Sequence, residues 1–305
     1  MTNVEALAKL KELSLQLDKV EFSDIIDLLK NSIQKIPVPI AKLHPNTAID
    51  RARKNEGEKL FKSVDQLSYI TDPYVIQNIL TEFGRANNPH EALFYAAVES
   101  TLIGHQRITA IAETSKLFQD RRGVSFDGEL YTVSRWRNSE ELLLAEVVFA
   151  QAAIDINPDT KKAFEAQSEF AKSQGTEDID FYLDFLVFIS EQFARPAVTH
   201  NDYKISTAYK ELIFSKPNIH GIAFPSVQTN YYGQNIVLPP SIVDKYLSVE
   251  VLATQRLYKN HMKTLLNNHK NCMNPKDCYN DIQWADLDAK YMSTSEHIQD
   301  FLNSA

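Results

Sequence analysis

Near the start of the chain Phe22, Ile25, Ile26, Leu29 and Ile33 recur at helical spacing, with Ser23 placed to cap the first turn and Pro37 and Pro39 closing the segment. A short N-terminal helix is predicted there. Between Leu43 and Tyr95 the 3.6-residue period lapses, and Asp72-Pro73, Gly84 and Asn88-Pro89 punctuate short segments. Leu93 to Tyr95 reads as a buried strand. Within Ala96 to Phe118, Ile108, Ile111 and Ala112 predict a helix that carries Glu113, and Glu129 to Arg135 alternates as a strand does. Helices are predicted from Asn138, with Glu141 completing a capping pattern, through Ala153, then from Asn157-Pro158, then over Ile179 to Phe193. A helix over Ile205 to Phe214, strands at Gly221 to Phe224 and Asn235 to Leu238, and a long C-terminal helix from about Ser241 complete the pattern.

With 305 residues, 44% of them hydrophobic and 24% charged, the chain can bury a sizeable core. No Ser/Gly linker divides it. The organisation expected is a helical N-terminal extension over 1–40, a catalytic domain over 41–250 and a helical C-terminal extension over 251–305. A net charge of −8 argues against broad capture of nucleic acid or of an anionic membrane, so any anion site must be local. No run approaches the ~18 apolar residues of a spanning helix, and Met1 to Leu10 mixes Glu and Lys with Ala and Leu, unlike a secretory signal. Two cysteines are too few for a disulfide framework. A cytoplasmic protein is expected.

Two segments gather unusual chemistry. Gly84-Arg85-Ala86-Asn87-Asn88-Pro89 presents a guanidinium and two amides just before the strand that ends in Tyr95. Arginine suits phosphate because its planar fork donates two parallel hydrogen bonds and stays charged. Phe224-Pro225-Ser226 ends a strand in a hydroxyl, and Tyr231-Tyr232-Gly233-Gln234-Asn235 leads into the next. Taken alone, both compositions fit ordinary turns better than binding loops. His269, Cys272 and Cys278 lack paired zinc-ligand spacing, and no metal site is expected. His105 and His200 read as surface or packing residues, and Phe181, Tyr182, Phe185 and Phe188 as a helix core.

Taken together and in order, these segments resemble the RES-domain family over about Ala48 to Leu247. Thr47 to Arg53 resembles the family's early strand, with Arg51 the better counterpart of its arginine and Arg53 the competitor. Gly84-Arg85-Ala86-Asn87 resembles the arginine-bearing turn, Ala86 standing where the family often has an aromatic residue. Leu93-Phe94-Tyr95-Ala96 resembles the following strand, with Tyr95 ten residues after Arg85. Thr109-Ala110-Ile111-Ala112-Glu113 resembles the glutamate-bearing helix, although a longer gap after Tyr95 leaves Glu99 as a second choice. Asp202 to Ser206, Gly221 to Ser226 and Gly233 to Leu238 resemble the closing helix and paired strands, with Ser226 the counterpart of the family's serine.

The resemblance implies an α+β fold like that of ADP-ribosyltransferases, with a split β-sheet core forming a cleft for NAD. It implies an NAD-degrading enzyme of toxin type that breaks the nicotinamide-ribose bond by phosphorolysis or hydrolysis. NAD would be the substrate and inorganic phosphate the co-substrate, with no further cofactor. Glu113, Arg85 and Ser226 would be catalytic, and Arg51, Arg85, Tyr95, Asn87 and Ser226 would bind NAD. An antitoxin protein is a partner consistent with the family, and an apolar face on the N-terminal helix is consistent with a homo-oligomer. Two rival readings are transfer of ADP-ribose to a macromolecule and a non-enzymatic helical interaction module.

Overall fold

The computed structural model describes residues 1–33, 36–120, 122–175 and 178–304. Among these residues ten strands form one sheet: β1 (Ile40–Leu43), β2 (Ala48–Lys54), β3 (Phe94–Val98), β4 (Val124–Asn138), β5 (Leu142–Glu146), β6 (Gly221–Pro225), β7 (Gln234–Leu238), β8 (Leu247–Asn260), β9 (Lys263–Cys272) and β10 (Ala285–Asp286). The helices are α1 (Asn3–Leu13), α2 (Phe22–Asp27), α3 (Pro73–Asn78), α4 (Gln106–Thr114), α5 (Lys116–Gln119), α6 (Gln151–Ile156), α7 (Pro158–Ser173), α8 (Ile179–Ala194), α9 (Lys204–Phe214), α10 (Pro240–Tyr246) and α11 (Ser295–Asn303). Mixed helix and mostly antiparallel sheet make the protein α+β, as expected.

The strand order is β1-β5-β6-β7-β3-β2-β4-β8-β9-β10, and only β5 and β6 run parallel. A parallel pair needs a long crossover, and residues 147–220 supply it with α6 to α9. The helix start read from sequence at Asn157-Pro158 holds in this segment. Asn157 accepts the N–H groups of Asp159 and Thr160 with Pro158 in the first turn, while Asp178 caps α8 by accepting from Phe181. Phe181, Phe185, Ile189 and Phe193 of α8 then bury against Ile205, Ala208 and Tyr209 of α9 and against Ile222, Phe224 and Val237 of the sheet. Each such side chain contributes roughly 1.5–3 kcal/mol on full burial. The N-terminal segment is helical as predicted, and Ala6, Leu7, Leu10, Ile25 and Leu29 enter this same core. Its second helix starts at Phe22 with Glu21 at the cap, so Ser23 does not cap it.

Three predicted helices are corrected. The chain after 250 is not a helical addition: α10 stops at Tyr246, and the chain enters β8, which pairs with β4 from Leu247↔Asn138 to Asn260↔Val124 before turning back as β9. Val249, Leu252 and Leu257 are buried in that ladder, and their burial outweighs the capping pattern at Ser241 and Asp244. A boundary at 250 therefore falls inside a strand, and α11 is the helix that remains in the C-terminal segment. The helix expected from Asn138 to Ala153 is replaced by β5 over Leu142–Glu146, held between β1 and β6, and the chain becomes helical only at Gln151, where α6 starts. Asn138 ends β4 and donates to the His44 and Glu140 carbonyls instead of capping a helix. The third helix, placed within Ala96 to Phe118, begins only at Gln106, because β3 continues to Val98.

One irregularity of the sheet positions everything that follows. β2 pairs with β4 along its whole length and β3 pairs with β7 along its whole length, yet β2 and β3 pair only at Ile49↔Val98 and Asp50↔Ala97. Past Asp50 they part, and the sheet opens. Asp50, almost fully buried, accepts two bonds from Arg135 of β4 at 2.7 and 2.8 Å, which pins β2 just before the opening. No helix among the described residues is long and apolar enough to cross a membrane.

The β6–β7 pairing depends on a close approach at Gly221, where a Cβ would lie 2.4 Å from Leu238 Cδ2 and 2.6 Å from the Val237 carbonyl oxygen. Gly221→Ala should lower stability by about 1–3 kcal/mol through overpacking. Gly104→Ala, which meets nothing within 4 Å, should stay within about 0.5 kcal/mol of the parent. Urea unfolding of the two variants checks both values.

Candidate active site

The opening between β2 and β3 is a cavity of about 460 Å³. Arg51, Arg53 and Lys54 reach it from β2, Tyr95 from β3, Phe224 from β6, Asn235 from β7, Glu113 from α4, and Arg85 from the turn before β3. Four cations thus face one carboxylate, a local excess of positive charge in a chain whose net charge is −8. Within a Debye length of ~8 Å the local charges decide what enters.

The cations are not equivalent. Arg53 donates to the Gln66 carbonyl and lies over the Phe61 ring, and Lys54 pairs with Glu129. Arg51 donates one bond, of 2.7 Å, to the Tyr95 carbonyl and keeps a buried Nε without an acceptor. Arg85 rests over the Tyr203 ring, 5.5 Å from its centroid, and keeps a buried Nη1 without an acceptor. Burial, aided by the neighbouring charge of Arg53, draws the Arg51 guanidinium down to about 10, which still leaves it charged at neutral pH. Buried donors of this kind are costly unless an acceptor meets them. Arg51, unlike Arg53, therefore holds a buried donor that no acceptor meets.

Glu113 stands near the C-terminal end of α4, and the helix is laid along β2 by Gln106 bonding the Ala48 carbonyl and Thr114 the Ala52 carbonyl. Its carboxylate accepts 2.9 Å from Asn235 Nδ2. Asn235 is the residue that sequence reasoning missed as a site residue. Its signal was present, a polar amide opening the apolar run Ile236-Val237-Leu238, where a buried side chain demands a partner. Glu99 is exposed and lies in a separate depression with Glu146 and Asp159. Of the two acids, Glu113 is the one beside the arginines.

Tyr95 and Asn87 set the arginine turn. The Tyr95 hydroxyl accepts from the Ala86 N–H at 3.0 Å and donates to Asn87 Oδ1 at 2.5 Å, and Asn87 Nδ2 donates to the Glu91 carbonyl at 2.9 Å. Burial raises the Tyr95 phenol far above its ordinary value, so the hydroxyl remains a donor. With both ends of its amide bonded, Asn87 braces the turn, and it also lines the cavity beside it. Arg51, Ile70 and Tyr95 also line an adjoining cavity of about 360 Å³, whose other walls include Ile79, Leu80, Phe83 and Leu93.

Ser226 is not brought to this lining. It is fully buried, and its hydroxyl accepts from the Thr229 N–H at the start of a 3-10 turn, while its N–H and carbonyl bond Gly233 and Tyr231. The ordinary turn reading is the one the geometry gives for this residue. His105 is exposed at the start of α4, and His200 stacks on Phe83 at 6.1 Å between centroids. Cys272 and Cys278 bring their sulfurs to 3.4 Å, and no three His, Cys, Asp or Glu among the described residues are grouped to hold a metal.

No protein-family model matches the chain, and neither does any curated protein.

Tyr95→Phe should leave the buried Ala86 N–H without an acceptor and Asn87 Oδ1 without a donor, at about 1–3 kcal/mol of stability. Urea unfolding measures the loss. A variant as stable as the parent would show that the hydroxyl does not hold the turn.

Proposed function

We propose that the protein cleaves the nicotinamide-ribose bond of NAD at the cavity between β2 and β3, as the resemblance to RES domains implies. The observation that carries this reading is one cavity lined by two arginines with unpaired buried donors, Arg51 and Arg85, together with a hydrogen-bonded carboxylate, Glu113. That set suits a ligand with phosphate at one place and developing positive charge at another. The parting of β2 from β3 fits the split sheet of ADP-ribosyltransferase-like folds, and the adjoining cavity walled by Ile79, Leu80 and Phe83 offers apolar surface to a flat base.

In this reading the two guanidiniums hold the pyrophosphate or the attacking phosphate. As the C1″–N bond breaks, its electron pair leaves with nicotinamide, which departs neutral, and positive charge grows on the ribose. Glu113, oriented by Asn235, lies where a carboxylate favours that charge over the ground state. Phosphate then bonds to C1″ and yields ADP-ribose-1″-phosphate, or water bonds there and loses a proton to yield ADP-ribose. Ser226 acts through the turn it braces, without touching substrate, and Asn87 braces the arginine turn from the wall of the adjoining cavity.

Purified protein incubated with NAD, with and without phosphate, should release nicotinamide, and mass spectrometry of the other product distinguishes phosphorolysis, hydrolysis and ADP-ribosylated protein. No loss of NAD at high protein concentration would sink the reading and leave the interaction-module alternative. Glu113→Gln should lower kcat by about 10²–10³-fold, the usual effect of removing one electrostatic stabiliser of the transition state, with little change in NAD affinity. Arg85→Lys should raise KM on the order of tenfold, because a charge-assisted bond is worth roughly 1.5–3 kcal/mol and an ammonium cannot reproduce the guanidinium fork. Steady-state kinetics of the two variants reads both effects, and unchanged saturation in the second would remove Arg85 from the anion site.

A further inference from the structure

We propose that Lys210 is a positioning residue of the anion site, whose buried ammonium clamps the two carboxylates that hold the turn carrying Arg85. The inference rests on the reading of Arg85 as an anion donor.

Lys210 is fully buried on α9, where lysine is seldom found without a paired acid. Its Nζ lies 2.6 Å from Glu91 Oε2 and 2.6 Å from Glu211 Oε1. Both acids reach onward to one residue of the turn. Glu91 Oε2 accepts the Asn88 backbone N–H at 2.8 Å, and Glu211 Oε1 accepts the Asn88 side-chain amide at 2.5 Å. One lysine thus ties the end of the turn to the helix twice through a single residue.

The rest of the same helix stripe grips the other end. Thr207, three residues before Lys210, donates to the Gly84 carbonyl at 3.0 Å, and Tyr203, seven residues before, lies under the Arg85 guanidinium. Tyr203, Thr207, Lys210 and Glu211 fall at i, i+4, i+7 and i+8, one face of a helix. Arg85 is therefore held between a Gly84 anchor and an Asn88 anchor, both supplied by this face. Burial alone would raise the Glu211 carboxyl, but the bonds from Lys210 and Asn88 prevail and hold it below its ordinary value. Without the ammonium two partly buried carboxylates would face each other across Asn88, and the second anchor would loosen. A side chain present only to fill space would be served as well by methionine, since a buried ion pair is weak evidence for stability. The ammonium's bonds lead to this turn, and the consequence expected of its loss is local.

The test is a double-mutant cycle on the full chain, with inorganic pyrophosphate as the probe and titration calorimetry as the readout. Arg85→Ala and Lys210→Met should each weaken pyrophosphate binding on the order of tenfold, the range for a charge-assisted bond. The double variant should bind within about twofold of Arg85→Ala alone, because Lys210 acts through Arg85. A purely structural role would make the two losses multiply, and that result, or parent-like affinity in Lys210→Met, overturns the proposal. Should Lys210→Met fail to fold, Asn88→Ala removes the amide that Glu211 holds, leaves the backbone bond to Glu91 and bares no buried charge, and a smaller loss, likewise non-additive with Arg85→Ala, is expected of it. Additive losses or unchanged affinity in that variant overturn the proposal equally. A parent protein that does not bind pyrophosphate, or an Arg85→Ala variant that binds it as the parent does, removes the anion site itself and the role of Lys210 with it. Loss through Arg85→Ala with no effect at Lys210 or Asn88 leaves the site standing and refutes only the clamp.

Discussion

Arg51 stands at the point where β2 and β3 part, and its 2.7 Å bond to the Tyr95 carbonyl does what the strand ladder no longer does. A strand that leaves its neighbour exposes backbone acceptors, and an unpaired buried carbonyl is costly. Here one is met by a side chain that spans the gap. The same guanidinium lies over Phe94 and keeps Nε free, so the residue that closes the backbone account also holds a charge at the cavity floor. The bidentate pair of Asp50 with Arg135 fixes the register immediately before the opening. Structure and chemistry meet at one residue: where the sheet opens, a cation satisfies the carbonyl that the ladder leaves.

The cavity gathers positive charge within an acidic chain. Arg53 and Lys54 each have a partner, in Gln66 and Glu129, and of the cavity's cations Arg51 and Arg85 are the ones with buried donors unmet. Both are held on one side only, Arg51 by a carbonyl and Arg85 by the Tyr203 ring. An arginine restrained in this way loses little rotamer freedom when it bonds a ligand, and binding then costs less entropy. Glu113 remains a carboxylate held by an amide donor instead of being paired with either arginine, so its charge is not already neutralised by an ion pair.

Much of the α-helical half was legible because its signals are local. Asn157-Pro158 starts a helix by satisfying N–H groups within three residues, and the aromatic stripe of α8 needs only a 3.6 period to be seen. Two strands toward the flanks of the sheet, β5 and β8, were harder. The run Leu142 to Glu146 lies between β1 and β6, so it carries no polar alternation to separate a buried strand from a helix. β8 was obscured differently, by a capping-like pattern at Ser241 and Asp244 that the structure does not use: the two-turn α10 starts at Pro240 without a side-chain cap, after which pairing with β4 takes over. Long-range pairing decides such segments, and no window of sequence contains the partner.

The site was legible in its residue types but not in its division of labour. Arg51, Arg85, Tyr95 and Glu113 all reach one cavity, as the order of their segments led one to expect. Ser226 and Asn87 do not offer free polar atoms to it, because each is consumed by the turn it sits in. A Ser or Asn in a turn has two uses for its side chain, to satisfy the backbone or to meet a ligand, and one hydroxyl or amide end seldom serves both. Asn235 took the opposite course: on a strand the backbone is already paired, so its amide is free to reach Glu113. The distinction is one of reach: the short side chains of Ser226 and Asn87 are claimed by their own turns, whereas Arg85 is long enough to leave its turn for the cavity and Asn235 projects to Glu113 from a strand whose backbone is already paired.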